Sequence, residues 1–165
     1  MLSDAQIQRV WEEMLSAEFR ELYYADLATE YATKQRWATW ATLILSSSAF
    51  ASVIADLPAQ LAIVRPVLAL ATAVLSGYSL AMQTQKRTVD ASDLALRWSK
   101  IAHEYGAIWE NVFADDAAAK LQRVDAATVE ASKAGHQLPH QPKRIAKWQD
   151  RVEAKWAART LPRAA

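Results

Sequence analysis

Two uncharged stretches decide how this chain reads: WATWATLILSSSAFASVIA, residues 37–55, and VLALATAVLSGYSLAM, residues 67–82. Neither contains an Asp, Glu, Lys or Arg. A hydrocarbon core roughly 30 Å thick is crossed by about 20 helical residues, close to the length of the first run. The second reaches that length once Leu61 to Arg65 are included; Arg65 stands within a turn of the loop and can snorkel, and Pro66 suits a helix's first turn. Between the runs, Asp56 and Pro58 supply a stop and a turn. The expectation is an all-α fold: a two-helix transmembrane hairpin, about 37–57 and 61–82, with extended cytoplasmic helices before and after it. A bundle with two unusually apolar core helices is the competing reading. It accounts less well for two such runs in tandem with matching basic flanks.

Those flanks set the expected topology. Lys34 and Arg36 precede the first run and Lys86 and Arg87 follow the second, while Asp56 and Arg65 nearly cancel in the loop. The positive-inside rule then places both termini in the cytoplasm, at a bacterial inner membrane, with Trp37 and Trp40 at the interface. The chain starts MLSDAQIQRVWEEM, acidic where a cleavable signal peptide would be basic.

Outside the two runs the chain is charged and helical in period. Residues 1–36 form an N-terminal helix capped by Ser3 or Asp4, with Ile7, Val10, Trp11, Met14 and Leu15 at helical spacing. Residues 83–134 hold amphipathic helices. There Leu94, Trp98, Ile101, Tyr105, Ile108 and Val112 are spaced 4, 3, 4, 3, 4, a heptad seam suited to oligomerisation. GHQLPHQP, residues 135–142, breaks the pattern, and 135–165 is a basic loop and helix. Net charge is only +1, so this tail is a local feature. Its basic residues Lys143, Arg144, Lys147, Arg151, Lys155 and Arg159 surround an Ile145/Trp148/Val152/Trp156 face. Such a helix fits an anionic leaflet or a neighbouring helix, and nucleic acid least well.

Little in the sequence points to catalysis. There is no cysteine, and the three glycines, Gly77, Gly106 and Gly135, are too far apart for a phosphate-cradling loop. His103-Glu104 begins like a zinc-protease helix, but Ala107 stands where the second histidine belongs. His136 and His140 flank Leu138-Pro139 in a loop, where exposed histidines are the plainer account than a metal. No enzyme, cofactor or metal is expected.

Two surfaces in the runs invite a functional reading. Ala69, Ala73, Gly77 and Ala81 recur at every fourth residue, a small-residue ridge for close helix packing. Thr72, Ser76, Ser79 and Gln83 share one face of the second run, and Thr39, Thr42 and Ser46 share one of the first. Each hydroxyl can bond its own helix's carbonyl, yet a stripe in both runs also suits the lining of a pore.

The order of segments resembles a known family. LYYADLATEYATKQRW, residues 22–37, leads into a serine-rich run, a brief loop, a second run ending in a basic pair and a long amphipathic helix. This is similar to the SLATT domains, two-transmembrane effectors linked to bacterial nucleotide-signalling defence systems, over roughly residues 5–125. The resemblance implies an oligomeric, pore-forming or membrane-disrupting effector in antiphage, abortive-infection defence. It implies no enzymatic site, and a trigger from a separately encoded sensor protein or nucleotide. The tail after Gly135 is not part of the pattern. A non-conducting membrane anchor or scaffold that recruits a cytoplasmic partner is the alternative.

Overall fold

The computed structural model describes residues 2–46, 67, 70, 73, 74, 77 and 84–160. Its elements are all helical: α1, Asp4–Ser46; α2, Thr84–Glu110; α3, Ala117–Gly135; and α4, Pro142–Thr160. They divide between two compact units, one of Met1–Leu27 with Asp90–Ala165 and one of Ala28–Val89.

The all-α expectation holds, but the transmembrane hairpin is corrected. Among the described residues no helix is long and apolar enough to cross a membrane. In α1, charges continue as far as Arg36, which leaves only the ten residues 37–46 of the first apolar run within the helix. That is about half of what a bilayer core requires. Residues 47–66 and most of 67–83 lie outside the described residues. The inner-membrane location with both termini cytoplasmic, and the lipid bilayer as partner, rested on that hairpin and fall with it.

The first unit is built around the start of α1. Ser3 caps it as half of a capping box: its Oγ accepts from the Gln6 N–H at 3.4 Å, while its own N–H donates to Gln6 Oε1 at 2.9 Å. Beyond the cap, Val10, Met14, Ala17, Tyr23 and Leu27 are buried, a stripe at helical spacing.

α2 runs antiparallel to this part of α1. Trp11 meets Trp109 with ring centroids 5.0 Å apart. Met14 lies opposite Gly106, and the Arg20 guanidinium lies over the Trp98 ring. The seam residues Leu94, Trp98, Ile101, Tyr105 and Ile108 are each no more than 3% exposed. They form this unit's own core, and Val112, in the turn after α2, is half-buried. The homo-oligomer expected from this face is therefore corrected: the chain covers the face itself, leaving no apolar seam for a second copy.

α3 is tied to both neighbours through one carboxylate. Asp125 accepts from the Tyr105 hydroxyl at 2.9 Å and pairs with Arg9 at 2.7 Å. The Tyr105 oxygen also lies 3.3 Å from Thr128 Oγ1. Burial pushes the Tyr105 phenol up to about 12, because a phenolate there would lose its hydration and face Asp125.

α4 runs antiparallel to α1 and is held by a repeated device. Glu18 accepts from the Trp156 indole N–H at 2.7 Å and pairs with Lys155. Eight residues on, Asp26 accepts from the Trp148 indole at 3.2 Å and pairs with Arg144 at 3.5 Å. Each carboxylate thus takes one indole and one cation from α4. Between them Tyr23 donates its hydroxyl to Pro139 O at 2.6 Å and accepts from Gln141 N at 3.3 Å, pinning the loop 136–141. Pro142 opens α4, where a missing N–H costs nothing.

In the second unit, Lys34 pairs with Glu30 one turn earlier at 2.5 Å, and Thr33 Oγ1 donates to the Thr29 carbonyl at 2.8 Å. Trp37, Trp40, Leu43 and Ile44 stand exposed on α1.

Three outcomes test this packing. Gly106→Ala should stabilise by up to about 1 kcal/mol in chemical denaturation, since alanine favours a helix interior and its Cβ would meet Met14 Sδ at an ordinary 3.8 Å. In an alkaline tyrosinate titration, Tyr105 should ionise at about pH 12, well above the ordinary tyrosine value. Its raised value favours the neutral phenol, so the associated stability is intact below about pH 10 and is lost as pH rises toward about 12; Tyr105→Phe should remove that loss. Glu18→Ala and Asp26→Ala should each destabilise by about 1–3 kcal/mol, because each strands an indole N–H. Equal stability of either variant and wild type would mean that α4 is held by apolar contact alone.

Candidate functional site

The helices of the first unit line a half-open cavity of about 490 Å³. One wall comes from a single turn and a half of α1: Phe19, Arg20, Tyr23 and Tyr24. Helical spacing places Tyr23 and Tyr24 three and four residues beyond Arg20, so all three line one side. Trp98 closes the side from α2, and Gly135 with loop residues His136, Pro139 and His140 supplies the far wall. The Tyr23 hydroxyl holds that loop in place through Pro139 and Gln141.

Arg20 dominates the electrostatics. Its Cζ lies 4.5 Å from the Trp98 ring centroid and 5.8 Å from that of Phe19. Cation–π attraction of this kind is worth about 0.5–2 kcal/mol, depending on desolvation. Arg20 makes no ion pair with any described residue, and no carboxylate lines the cavity. Tyr24 is pushed above its usual phenol range by burial and by Tyr23, with Arg20 pulling the other way. Its hydroxyl therefore stays protonated and able to donate. The Trp98 indole N–H is buried without a hydrogen-bond partner. A Cβ at Gly135 would collide with the Tyr24 hydroxyl, so a larger residue there would displace that side chain.

A wider groove of about 640 Å³ is lined by Glu18, Glu21, His103 and Glu110. Of its acids, Glu18 is already engaged by Lys155 and Trp156. Among the described residues no group of three or more His, Asp or Glu is placed to hold a metal ion.

The residues singled out from the sequence are scattered relative to this cavity. Of the hydroxyl stripes, Thr39 is exposed, and Thr42 Oγ1 donates to the Ala38 carbonyl at 2.9 Å, the back-bond available to any helical threonine. Ser46 ends α1, and its side chain lies outside the description. Thr72, Ser76, Ser79 and Gln83 lie outside the described residues, as do Ala69 and Ala81 of the small-residue ridge. Ala73 and Gly77 are exposed, and a Cβ added at Gly77 would meet nothing within 4 Å. Of the seam, Trp98 alone reaches the cavity wall.

Arg20 carried a signal in the sequence that periodicity overlooks. It is a base directly after Phe19 and one turn before the Tyr23-Tyr24 pair, a cation set among aromatics. Nothing local marks Trp98, 78 positions away, as the ring it stacks on.

Comparison with known proteins gives no relative. No family model, no curated protein and no solved structure matches the chain. The resemblance to SLATT domains is corrected accordingly: no family model carries it, and the spanning hairpin on which it rested is absent from the described residues. The pore-forming defence effector, its separately encoded sensor or nucleotide trigger and the membrane-anchor alternative are corrected with it.

Proposed function

We propose that this chain is a non-catalytic binding protein whose first unit takes a small organic ligand in the Arg20/Trp98 cavity. One observation carries the reading: a guanidinium laid against two aromatic rings, in a wall without carboxylates, and with no ion pair to any described residue. Arg20 is half-buried and lines the cavity with no carboxylate beside it, which leaves its charge available to an anion that the chain does not supply. Cavities of about 300–1,000 Å³ with mostly apolar walls and few polar groups are the usual form of ligand sites.

The absence of catalysis is part of the proposal. The Tyr23 hydroxyl is committed to the loop backbone. Ser132 and His136 both line the cavity but form no hydrogen bond with each other, so the wall holds no activated nucleophile.

A thermal-denaturation panel of small organic acids, amines and neutral compounds, run on wild type and Arg20→Ala, tests this. At a ligand concentration of 100 Kd, binding stabilises by about 2.7 kcal/mol, a shift of several degrees. At least one chemical class should raise the wild-type midpoint clearly more than that of Arg20→Ala. No shift with any compound, or equal shifts in both proteins for every compound that binds, removes the reading. Recovery of a compound chemically transformed would make the chain an enzyme.

A further inference from the structure

We infer that the ligand of this cavity is a small aromatic monocarboxylate, its carboxylate held by the edge of the Arg20 guanidinium and its ring packed among the aromatic walls. The inference rests on the cavity being a binding site and adds the chemistry of what fills it.

Charge comes first. Arg20 is the one permanently charged side chain lining the cavity. A single fixed positive charge is matched by a single negative one. A phosphate dianion would leave charge uncompensated in a half-enclosed site, and an amine would meet only repulsion.

Geometry narrows the class further. The guanidinium carbon lies over the Trp98 ring at 4.5 Å and 5.8 Å from the Phe19 centroid, and no described carboxylate pairs with its N–H groups. A guanidinium presents parallel donors at the spacing of two carboxylate oxygens, the bidentate arrangement that a lysine cannot offer. The Tyr24 hydroxyl stands in the same wall as a further donor.

The ligand's body follows from the walls. Rings of Phe19, Tyr23, Tyr24 and Trp98 face the space, and aromatic partners gain about 0.5–1.5 kcal/mol beyond simple burial through edge and offset contacts. A volume of about 490 Å³ far exceeds what acetate or formate would fill. A one- or two-ring acid leaves fewer walls without a neighbour.

Calorimetric titration of the full chain separates the contributions. The probes are phenylacetate and indole-3-acetate, their neutral isosteres phenylacetamide and indole-3-acetamide, acetate and inorganic phosphate. Both aromatic acids should bind at one site per chain, and each amide at least about 10-fold more weakly, since a charge-assisted bidentate pair is lost. Acetate should be weaker than either aromatic acid for want of a ring, and phosphate weaker still. Arg20→Ala and Arg20→Gln should each lose about 10-fold or more for the acids while leaving amide binding unchanged. Circular dichroism confirms that both variants keep the wild-type helix content, and the acid-to-amide ratio in wild type needs no variant at all. Amides binding as tightly as acids, phosphate binding more tightly than either acid, or acids insensitive to both substitutions would overturn the carboxylate assignment while the cavity stands as a site. If neither these probes nor any compound of the broader panel binds, the cavity itself is not a ligand site.

Discussion

Every other helix of the first unit is organised by a single stretch of α1, from Arg9 to Asp26. A helix has a limited circumference, and here it is divided among three neighbours by three kinds of interaction. Apolar and aromatic contact serves α2, through Trp11, Met14 and Arg20. One ion pair, Arg9 to Asp125, serves α3. Two carboxylates, Glu18 and Asp26, serve α4. Non-directional burial supplies most of the driving force in such a unit, but the polar contacts decide which helix lies on which side.

The carboxylate–indole contacts show how that choice is made. A tryptophan on a half-buried helix face brings a large apolar surface and one donor that must be satisfied. Trp148 and Trp156 are eight residues apart, and so are the two acids that receive them on the antiparallel helix. A slip of one turn would separate both indoles from Glu18 and Asp26 together, so the eight-residue spacing favours this register of α4. The same register brings loop 136–141 against Tyr23 and thereby forms the far wall of the cavity. The cavity is in this sense a by-product of the docking, and Arg20 is left facing it because Glu18 and Asp26, its neighbours on α1, are engaged by α4.

The readings that failed and those that succeeded differ in kind. Counting uncharged residues identifies an apolar stretch, but it cannot say how much of that stretch belongs to one helix or what the helix faces. In α1 the described apolar part is too short to span. Heptad spacing at Leu94–Ile108 located buried positions well, because burial follows from side chains sharing one helix face. It could not distinguish a partner helix in another chain from one in the same chain, and here α1 and α3 of the same chain supply the partners. The basic tail was similarly open between several surfaces, and its two tryptophans and two of its cations settle on α1.

By itself the sequence determined the helical class, a cap at Ser3 or Asp4, the break over residues 135–142, and which faces of α1 and α2 are buried. These depend on interactions within a few residues, where helical periodicity and backbone geometry are nearly sufficient. Only the tertiary structure decided that Glu18 and Asp26 receive α4, that Arg20 stacks on Trp98, and that a cationic, aromatic cavity results. Those contacts join residues as many as 138 positions apart, and no local pattern encodes which of several chemically equivalent acids, bases or rings will meet across such a distance.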